Sequence, residues 1–446
     1  MARQGKVQPD PTKENKASKM LINRRHQHAV GQGFFHSAVI EGQHHKPCMH
    51  YVYDCGSTDR EALTREIDGY VEMLNGASVE LLFVSHMDHD HVCGLDQLLL
   101  NATVNCSILP YLTPIERLTL IAEALDKGNF DGNSFHFLCD PTDWLRERGI
   151  RRIIYVMPND NRREVELAEE ADLPQAVHDL TLDFQALRDH PDVVRTDEGG
   201  VEVFRIPCSI PLNLLSGQGV LNWTFLMFTF REGERGSLFR QRVRETFGED
   251  LAPDEPFEIN RRALLGILQN PRRRRELADC YNVVRRNRNL TSLSLYSGPH
   301  SRRGSQSYMQ TTPGRYEYRP GPVLTTGPVC GWLGTGDSNL SATNRRTAFF
   351  THFATVLNSV STFALPHHGA RANFHPDLVR SNRQFFVAAV GENNPYGHPH
   401  PEVCQAVYDL RSSPPDEWDI RYLVITNENP QSRFLETIRL SRQRAT

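Results

Sequence analysis

Apolar residues run together or alternate over positions 33–40 and 50–53, which predicts two short strands joined by a polar turn. Asp54-Cys55-Gly56-Ser57 follows as a turn. Between positions 59 and 74 the period changes, because Leu63, Ile67, Tyr70, Val71 and Leu74 recur three and four residues apart. That spacing predicts a helix with one apolar face, stopped by Asn75-Gly76. Positions 79–84 then read as a buried strand. Strand, helix and strand in this order predict an α/β layer that delivers polar residues at strand ends.

Short strands and helices continue over 95–158. They include an N-cap with proline at the first helical position, Asp140-Pro141, and a strand over 153–156. Segment 159–197 is acidic and segment 231–288 is Arg-rich. Both carry helical patterning, so they are expected as insertions forming a lobe over one side of the strand framework. Positions 297–322, rich in Ser, Arg, Gly, Tyr and Pro, read as a long loop, and 1–20 as a flexible leader to a single domain over 21–446. No repeat of solenoid period is visible.

Composition excludes more than it identifies. With 446 residues, 39% hydrophobic and 23% charged, the chain suits an ordinary globular protein rather than a fibrous or disordered one, and a net charge of -4 names no partner. The Lys-rich start lacks the apolar core of a secretory signal, and no segment is long and apolar enough for a bilayer. A cytoplasmic protein without a membrane partner is expected. Nine cysteines without a C-x-x-C pair fit reduced thiols better than a disulfide framework.

The chemistry concentrates in a few places. After the strand ending at Val84, the run Ser85-His86-Met87-Asp88-His89-Asp90-His91 puts four potential metal ligands, His86, Asp88, Asp90 and His91, in one loop. Such crowding costs several kcal/mol unless a cation offsets it, on the order of a buried polar group left without a partner. Trp332-Leu333-Gly334-Thr335-Gly336-Asp337 reads as a strand ending on a carboxylate placed to bridge two ions. Leu365-Pro366-His367-His368-Gly369 repeats the pattern, with His368 the preferred ligand and His367 the fallback. The strand over 387–390 empties into a polar loop, where Asn394, Tyr396 and His398 are candidates for holding a substrate oxyanion.

Taken in order, these motifs resemble the metallo-β-lactamase domain of ComEC-type competence proteins. The resemblance also takes in Val30-Gly31-Gln32-Gly33, Tyr53-Asp54-Cys55-Gly56, Asn289-Leu290-Thr291-Ser292-Leu293 and Asn394-Pro395-Tyr396-Gly397-His398-Pro399, and spans about 30–402. It implies an αββα sandwich with helical insertions and a nuclease or phosphodiesterase activity. It implies that Asp54 supports the site, that His86 and Asp88 bind one divalent ion, that Asp90, His91 and His368 bind a second, and that Asp337 bridges. Two departures stand out. Asp88 occupies a position where the broad pattern has histidine, which moves the first site toward Mn²⁺ or Mg²⁺ beside Zn²⁺. No third-motif histidine is evident before Asp337, leaving Cys208 and His300 as substitutes. ComEC-type proteins also carry membrane helices that this sequence lacks, so their DNA-uptake role does not transfer.

The expected function is therefore phosphodiester hydrolysis in DNA or RNA, with two ions lowering the pKa of a shared water from about 15.7 toward about 7. Asp90 and His398 are the expected catalytic residues, with His367, Asn394 and Tyr396 contacting substrate. An effector in bacterial defence fits such a stand-alone protein. A small-molecule hydrolase of the same fold (cyclic nucleotide, thioester or lactam) and a partner-activated or non-catalytic subunit are the rivals. Arg272 to Arg275, with Arg285, Arg286 and Arg288, offer phosphate contacts or a solvated helix face. Arg302, Arg303 and Arg315 mixed with Tyr308, Tyr316 and Tyr318 suit single-stranded nucleic acid or a protein partner. His26, His28, His36, His44, His45 and His50 read as packing or surface residues.

Overall fold

The computed structural model describes residues 20–42, 48–128, 132–158, 165, 167, 179–217, 219–230, 235–249, 251, 259–282, 291–300, 305–312, 315–316, 324–327, 329–379, 385–409 and 422–442. Its frame is mixed α/β, with two sheets of eleven and nine strands among the described residues. In the larger sheet Cys48–Ser57, Val79–Phe83, Val104–Pro110, Arg152–Met157 and Glu202–Pro207 run parallel. Met20–Gln27, Gly33–Glu41 and Phe434–Arg442 extend it antiparallel on the other side. In the smaller sheet Gly331–Gly334, Val360–Ala364, Phe385–Ala389 and Tyr422–Thr426 run parallel, and Ser294–Gly298 and Gly219–Phe228 continue it antiparallel.

Side-chain alternation explains why the two sheets stack. Tyr51, Tyr53, Leu81 and Phe83 point into a core shared with Phe225 and Trp332 of the smaller sheet. The rings of Tyr51 and Phe225 sit 5.2 Å apart, as do those of Tyr53 and Trp332. Val52, Leu82 and Val84 face the other way, onto Leu63, Ile67 and Tyr70 of helix Arg60–Leu74 and Leu118 and Ile121 of helix Pro114–Lys127. Phe349 of helix Thr343–His352 and Val403 of helix Pro401–Asp409 join the core from the smaller sheet's side. The parallel strands of each sheet are thus buried on both faces, which matches their near-continuous apolar sequence.

One polar tie crosses the apolar layer. Arg25 Nη1 lies 3.8 Å from Glu436 Oε2, Arg25 Nη2 donates to the Cys330 carbonyl at 2.5 Å, and Thr362 Oγ1 donates to Glu436 Oε1 at 2.5 Å. Nothing in the hydrophobic pattern announces this pair, because its partners are 411 positions apart by residue number.

The two segments expected as insertions differ in their secondary structure. Helices Arg235–Phe247, Arg261–Gln269 and Pro271–Tyr281 occupy the Arg-rich segment and pack through Phe239, Leu264 and Leu277 into the helical core. The acidic segment is less helical than its composition implies. Beside helix Phe184–Asp189 it supplies strands Thr181–Leu182 and Val194–Asp197, because each finds an open edge, one on each sheet. The loop expected over 297–322 also needs correction. Ser305–Thr312 is a strand paired along Phe434–Arg442, so cross-strand hydrogen bonding overrides its turn-rich composition. Arg285, Arg286, Arg288, Arg302, Arg303, Tyr318, His44, His45, Asn289 and Leu290 lie outside the described residues, as do the side chains of Tyr308, Arg315 and Tyr316. No helix among the described residues is long and apolar enough to cross a membrane.

Candidate metal centre

The site forms where parallel strands of both sheets end on the same side. Cys48–Ser57 carries Asp54 in the larger sheet, and Val79–Phe83 leads directly to Ser85 and His86. In the smaller sheet Gly331–Gly334 leads to Asp337, and Val360–Ala364 leads to His367 and His368. The two sets are joined at 2.6 Å by Leu293 N–H donating to the Ser85 carbonyl, and within the smaller sheet's set His367 N–H donates to the Gly336 carbonyl at 3.0 Å. Asp54, His367 and His368 have φ of 58°, 49° and 57°. Non-glycine residues held left-handed are strained, and here all three carry side chains of the cluster. Gly336 has φ 50° and touches Ser85 and Ser292 so closely that no Cβ fits.

Asp337 is the hub. Its Oδ2 lies 3.5 Å from His86 Nε2 and 3.4 Å from His367 Nε2, while its Oδ1 lies 3.4 Å from His91 Nε2 and 3.8 Å from His368 Nε2. Asp90 Oδ2 approaches His368 Nε2 at 3.6 Å. These gaps exceed ordinary hydrogen bonds between such atoms. The Nε2 atoms of His86, His91 and His368 are buried and make no hydrogen bond. Their Nδ1 atoms are all held: His91 by Asp54 Oδ2 at 2.8 Å, His86 by Ser85 Oγ at 2.8 Å, and His368 by the Ala389 carbonyl at 2.8 Å. Ser85 Oγ donates to Asp54 Oδ2 at 2.6 Å, so it accepts from His86. In neutral rings this fixes the proton on Nδ1 and turns every Nε2 lone pair inward, the arrangement that acceptors behind a metal-binding imidazole impose on it. His86, His91 and Asp337 form one group with converging ligand atoms, and Asp90, His91 and His368 form another. Both fit a divalent cation.

Charge follows the same layout. Burial disfavours the His91 imidazolium, yet the carboxylates of Asp337 and Asp54 outweigh it and raise the pKa well above 6.5. His86 is opposed by burial and by His91 but is raised by Asp337. Burial would raise Asp337, while His367, His86 and His91 hold it well below the usual carboxylate range. Asp90 is likewise lowered against its burial, by His368 and His91. Without an ion the cluster balances itself with protons, and with one the cation takes their place.

Of the residues singled out from sequence, His86, Asp90, His91, Asp337 and His368 converge and Asp54 supports them. Asp88 does not join either converging group. Its carboxylate faces Lys127 at 3.7 Å, across a cavity of about 140 Å³ that also exposes Asp90, Asp337, His367 and Tyr396. Asn394 spends both ends of its amide inside its own loop, donating to Gly391 O and His398 O and accepting from His398 N, so it shapes the loop instead of reaching out. That loop sets the His398 ring 6.3 Å from His368, where burial, then His368 and His367, lower its pKa to about 4. Tyr396 is exposed, its ring 5.7 Å from His398.

Neither substitute for the third motif reaches the cluster. Cys208 is packed in the intersheet core, and His300 belongs to no converging group among the described residues. His36 stacks on Trp332, and His28 bridges Ser37 and Glu66, as structural residues do. His26 converges with His28 and Glu66, which the sequence reading did not foresee. Sequence also missed Ser85 as the donor linking Asp54 to His86, although it opens the motif, and Lys127, which lies 39 positions beyond Asp88 by residue number. Comparison with protein-family models and with curated proteins finds no match for this chain.

Proposed function

We propose that the chain is a metal-dependent hydrolase of the metallo-β-lactamase fold that cleaves phosphodiester bonds, with nucleic acid as its substrate class. Two facing sheets with helices outside, and a ligand cluster at the ends of their parallel strands, support the fold reading together with the order of motifs in the sequence. The observation that carries the metal reading is Asp337, whose two carboxylate oxygens each face two imidazoles. A carboxylate so placed suits two ions side by side. The imidazole-rich donor set favours Zn²⁺ or Mn²⁺ over Mg²⁺.

Bound ions would supply a water of lowered pKa and polarise the phosphoryl oxygen. The residues do the rest. Asp54 and Ser85 hold the imidazoles in one tautomer, and Asp90 orients the attacking water. His398, neutral at pH 7 with its pKa lowered to about 4, is available to hydrogen-bond the phosphoryl oxygen through a ring N–H without placing a positive charge beside the ions. The arginines of helix Pro271–Tyr281 favour a polyanion. Arg272, Arg274 and Arg275 are exposed, and the helix packs on Pro114–Lys127, a wall of the cavity.

Metal analysis followed by incubation with plasmid, single-stranded DNA, RNA and a generic phosphodiester, with Mn²⁺ or Zn²⁺, tests this. Polymer cleavage abolished by chelator and by Asp90→Ala is expected, with His398→Ala losing turnover while keeping its metal. Bound metal without turnover of any substrate would overturn the enzymatic reading. One observation favours a small-molecule hydrolase instead: the cavity is modest and partly apolar, walled by Met87, Leu120, Ala124 and Leu138. Turnover of the generic ester alone would select it.

A further inference from the structure

The cluster's two halves are unequally built. On the Asp337 Oδ1 side, His91 and His368 are each about 1% exposed in their side chains and their Nδ1 atoms are tied down. Asp90 adds a third donor there. On the Oδ2 side only His86 is anchored in this way. Asp88, the residue the sequence motif offers for that side, faces Lys127. The imidazole that does approach Oδ2 is His367, at 3.4 Å, beside His86 at 3.5 Å. Its side chain is 28% exposed at the cavity, and its buried Nδ1 has no hydrogen-bond partner.

The geometry points to His367 as the ligand that completes the first ion's shell, standing in for a histidine that no separate segment among the described residues brings there, and to an ion held there more weakly than its neighbour. The inference rests on the metal reading above. Adjacent residues of one strained turn thereby serve opposite oxygens of a single carboxylate. His368 is directed inward by the Ala389 carbonyl, whereas His367, turned toward the cavity and outside both converging groups, joins the Asp337 Oδ2 side by a swing of its unanchored ring toward His86. An unanchored, partly solvated ring costs rotamer freedom on binding, and loss of a supporting hydrogen bond lowers metal affinity by roughly 10–100-fold. The second ion should therefore load first.

The whole 446-residue chain is stripped with chelator and titrated with Zn²⁺ or Mn²⁺ by calorimetry, with elemental analysis of the product. Two phases are expected, with dissociation constants at least about tenfold apart. His367→Gln, close in volume to the native ring, should lose the weaker phase and keep one ion per chain. His368→Gln should lose the tighter phase, and Asp88→Asn should retain both. Far-UV circular dichroism verifies that each variant is folded. Two ions retained in His367→Gln, loss of its tight phase instead, two equal phases in the wild type, or loss of the weak phase in Asp88→Asn would each overturn the assignment. Absence of any binding by the wild type would instead sink the metal reading itself, so the two failures are distinguishable.

Discussion

Asp54 Oδ2 accepts a hydrogen bond from His91 Nδ1 at 2.8 Å, while its Oδ1 accepts the Ser85 backbone N–H at 2.6 Å. One carboxylate thereby fixes both the imidazole's tautomer and the loop that carries the ligands. Asp54→Asn isolates the first role. Asparagine tolerates a left-handed backbone as well as aspartate does, so the variant should fold. With its carbonyl kept on the Ser85 N–H, its amide nitrogen would oppose the His91 Nδ1 proton. That drives the ring's proton to Nε2 and removes the lone pair from the cluster. Metal affinity should fall roughly 10–100-fold, read by competition with a chromogenic chelator, while the unfolding midpoint of the chelator-treated protein changes little. Unchanged affinity would remove Asp54 from the support of the site.

Lys127 and Asp88 face one another at 3.7 Å, and Lys127 also contacts Glu123 at 2.8 Å. The ammonium thus competes for the one carboxylate that the motif offers to the Oδ2 side. Replacing it by an uncharged chain of similar reach, Lys127→Met, frees Asp88 to turn toward His86. The weaker metal phase should tighten several-fold, within the ~1–3 kcal/mol that charged hydrogen bonds contribute. The tight phase should not move. Equilibrium dialysis against graded Mn²⁺ distinguishes this from a uniform change at both positions, which would contradict it.

Much of this site was legible because strands announce themselves by apolar runs and ligands by their residue type. His86, His91, Asp337 and His368 each follow a strand that local pattern identifies, and their chain order suffices to propose one site; Asp54, expected in a turn over 54–57, lies instead within strand Cys48–Ser57, which runs on through those positions paired with Gly33–Glu41. The partners that orient them were less visible. Ala389 acts through its backbone carbonyl, which no residue type encodes, and Lys127 meets Asp88 only through the packing of a separate helix. His367 and His368 are indistinguishable by composition. Their opposite placement depends on two consecutive left-handed residues, φ 49° and 57°, a geometry normally signalled by glycine. The edge strands Val194–Asp197 and Ser305–Thr312 were obscured for a related reason. Polar, turn-rich segments become strands when a neighbour's unpaired backbone awaits them.

Gly336 sits between the strand that delivers Asp337 and the Ser85 loop. An added Cβ would overlap Ser292 Oγ and lie 2.8 Å from Ser85 Cβ, at a backbone φ of 50°. Ser292 Oγ is itself the acceptor for the Asp337 N–H, at 3.0 Å. Gly336→Ala should therefore cost about 2–4 kcal/mol in chemical denaturation, combining left-handed strain with overpacking. It should also reduce metal content, since Asp337 is displaced. A variant of native stability and full metal content would show that the two segments separate more easily than their contacts imply.

The charge balance of the empty cluster sets a dependence on pH that metal should invert. His91 has its folded pKa raised well above 6.5 by Asp337 and Asp54, against the opposing effect of burial. Its contribution to folding is complete below 6.5 and is lost as pH rises through the raised folded value. Asp337 and Asp90, lowered from 3.8, contribute above that pH and lose their effect as it falls through their depressed folded values. Chelator-treated protein should accordingly be most stable between roughly pH 4 and 6.5 and weaken on the alkaline side. Metal binding needs the imidazole lone pairs, so each ion that displaces one proton gains about tenfold in affinity per pH unit. The midpoint increase produced by a fixed Zn²⁺ concentration should therefore grow from pH 6 to pH 8, while the metal-free midpoint declines. Calorimetric scans at pH 6, 7 and 8, with and without chelator, measure both trends. A metal-induced increase that is the same at all three would mean that the imidazoles are already deprotonated in the empty cluster, and that Asp337 does not hold their protons in place.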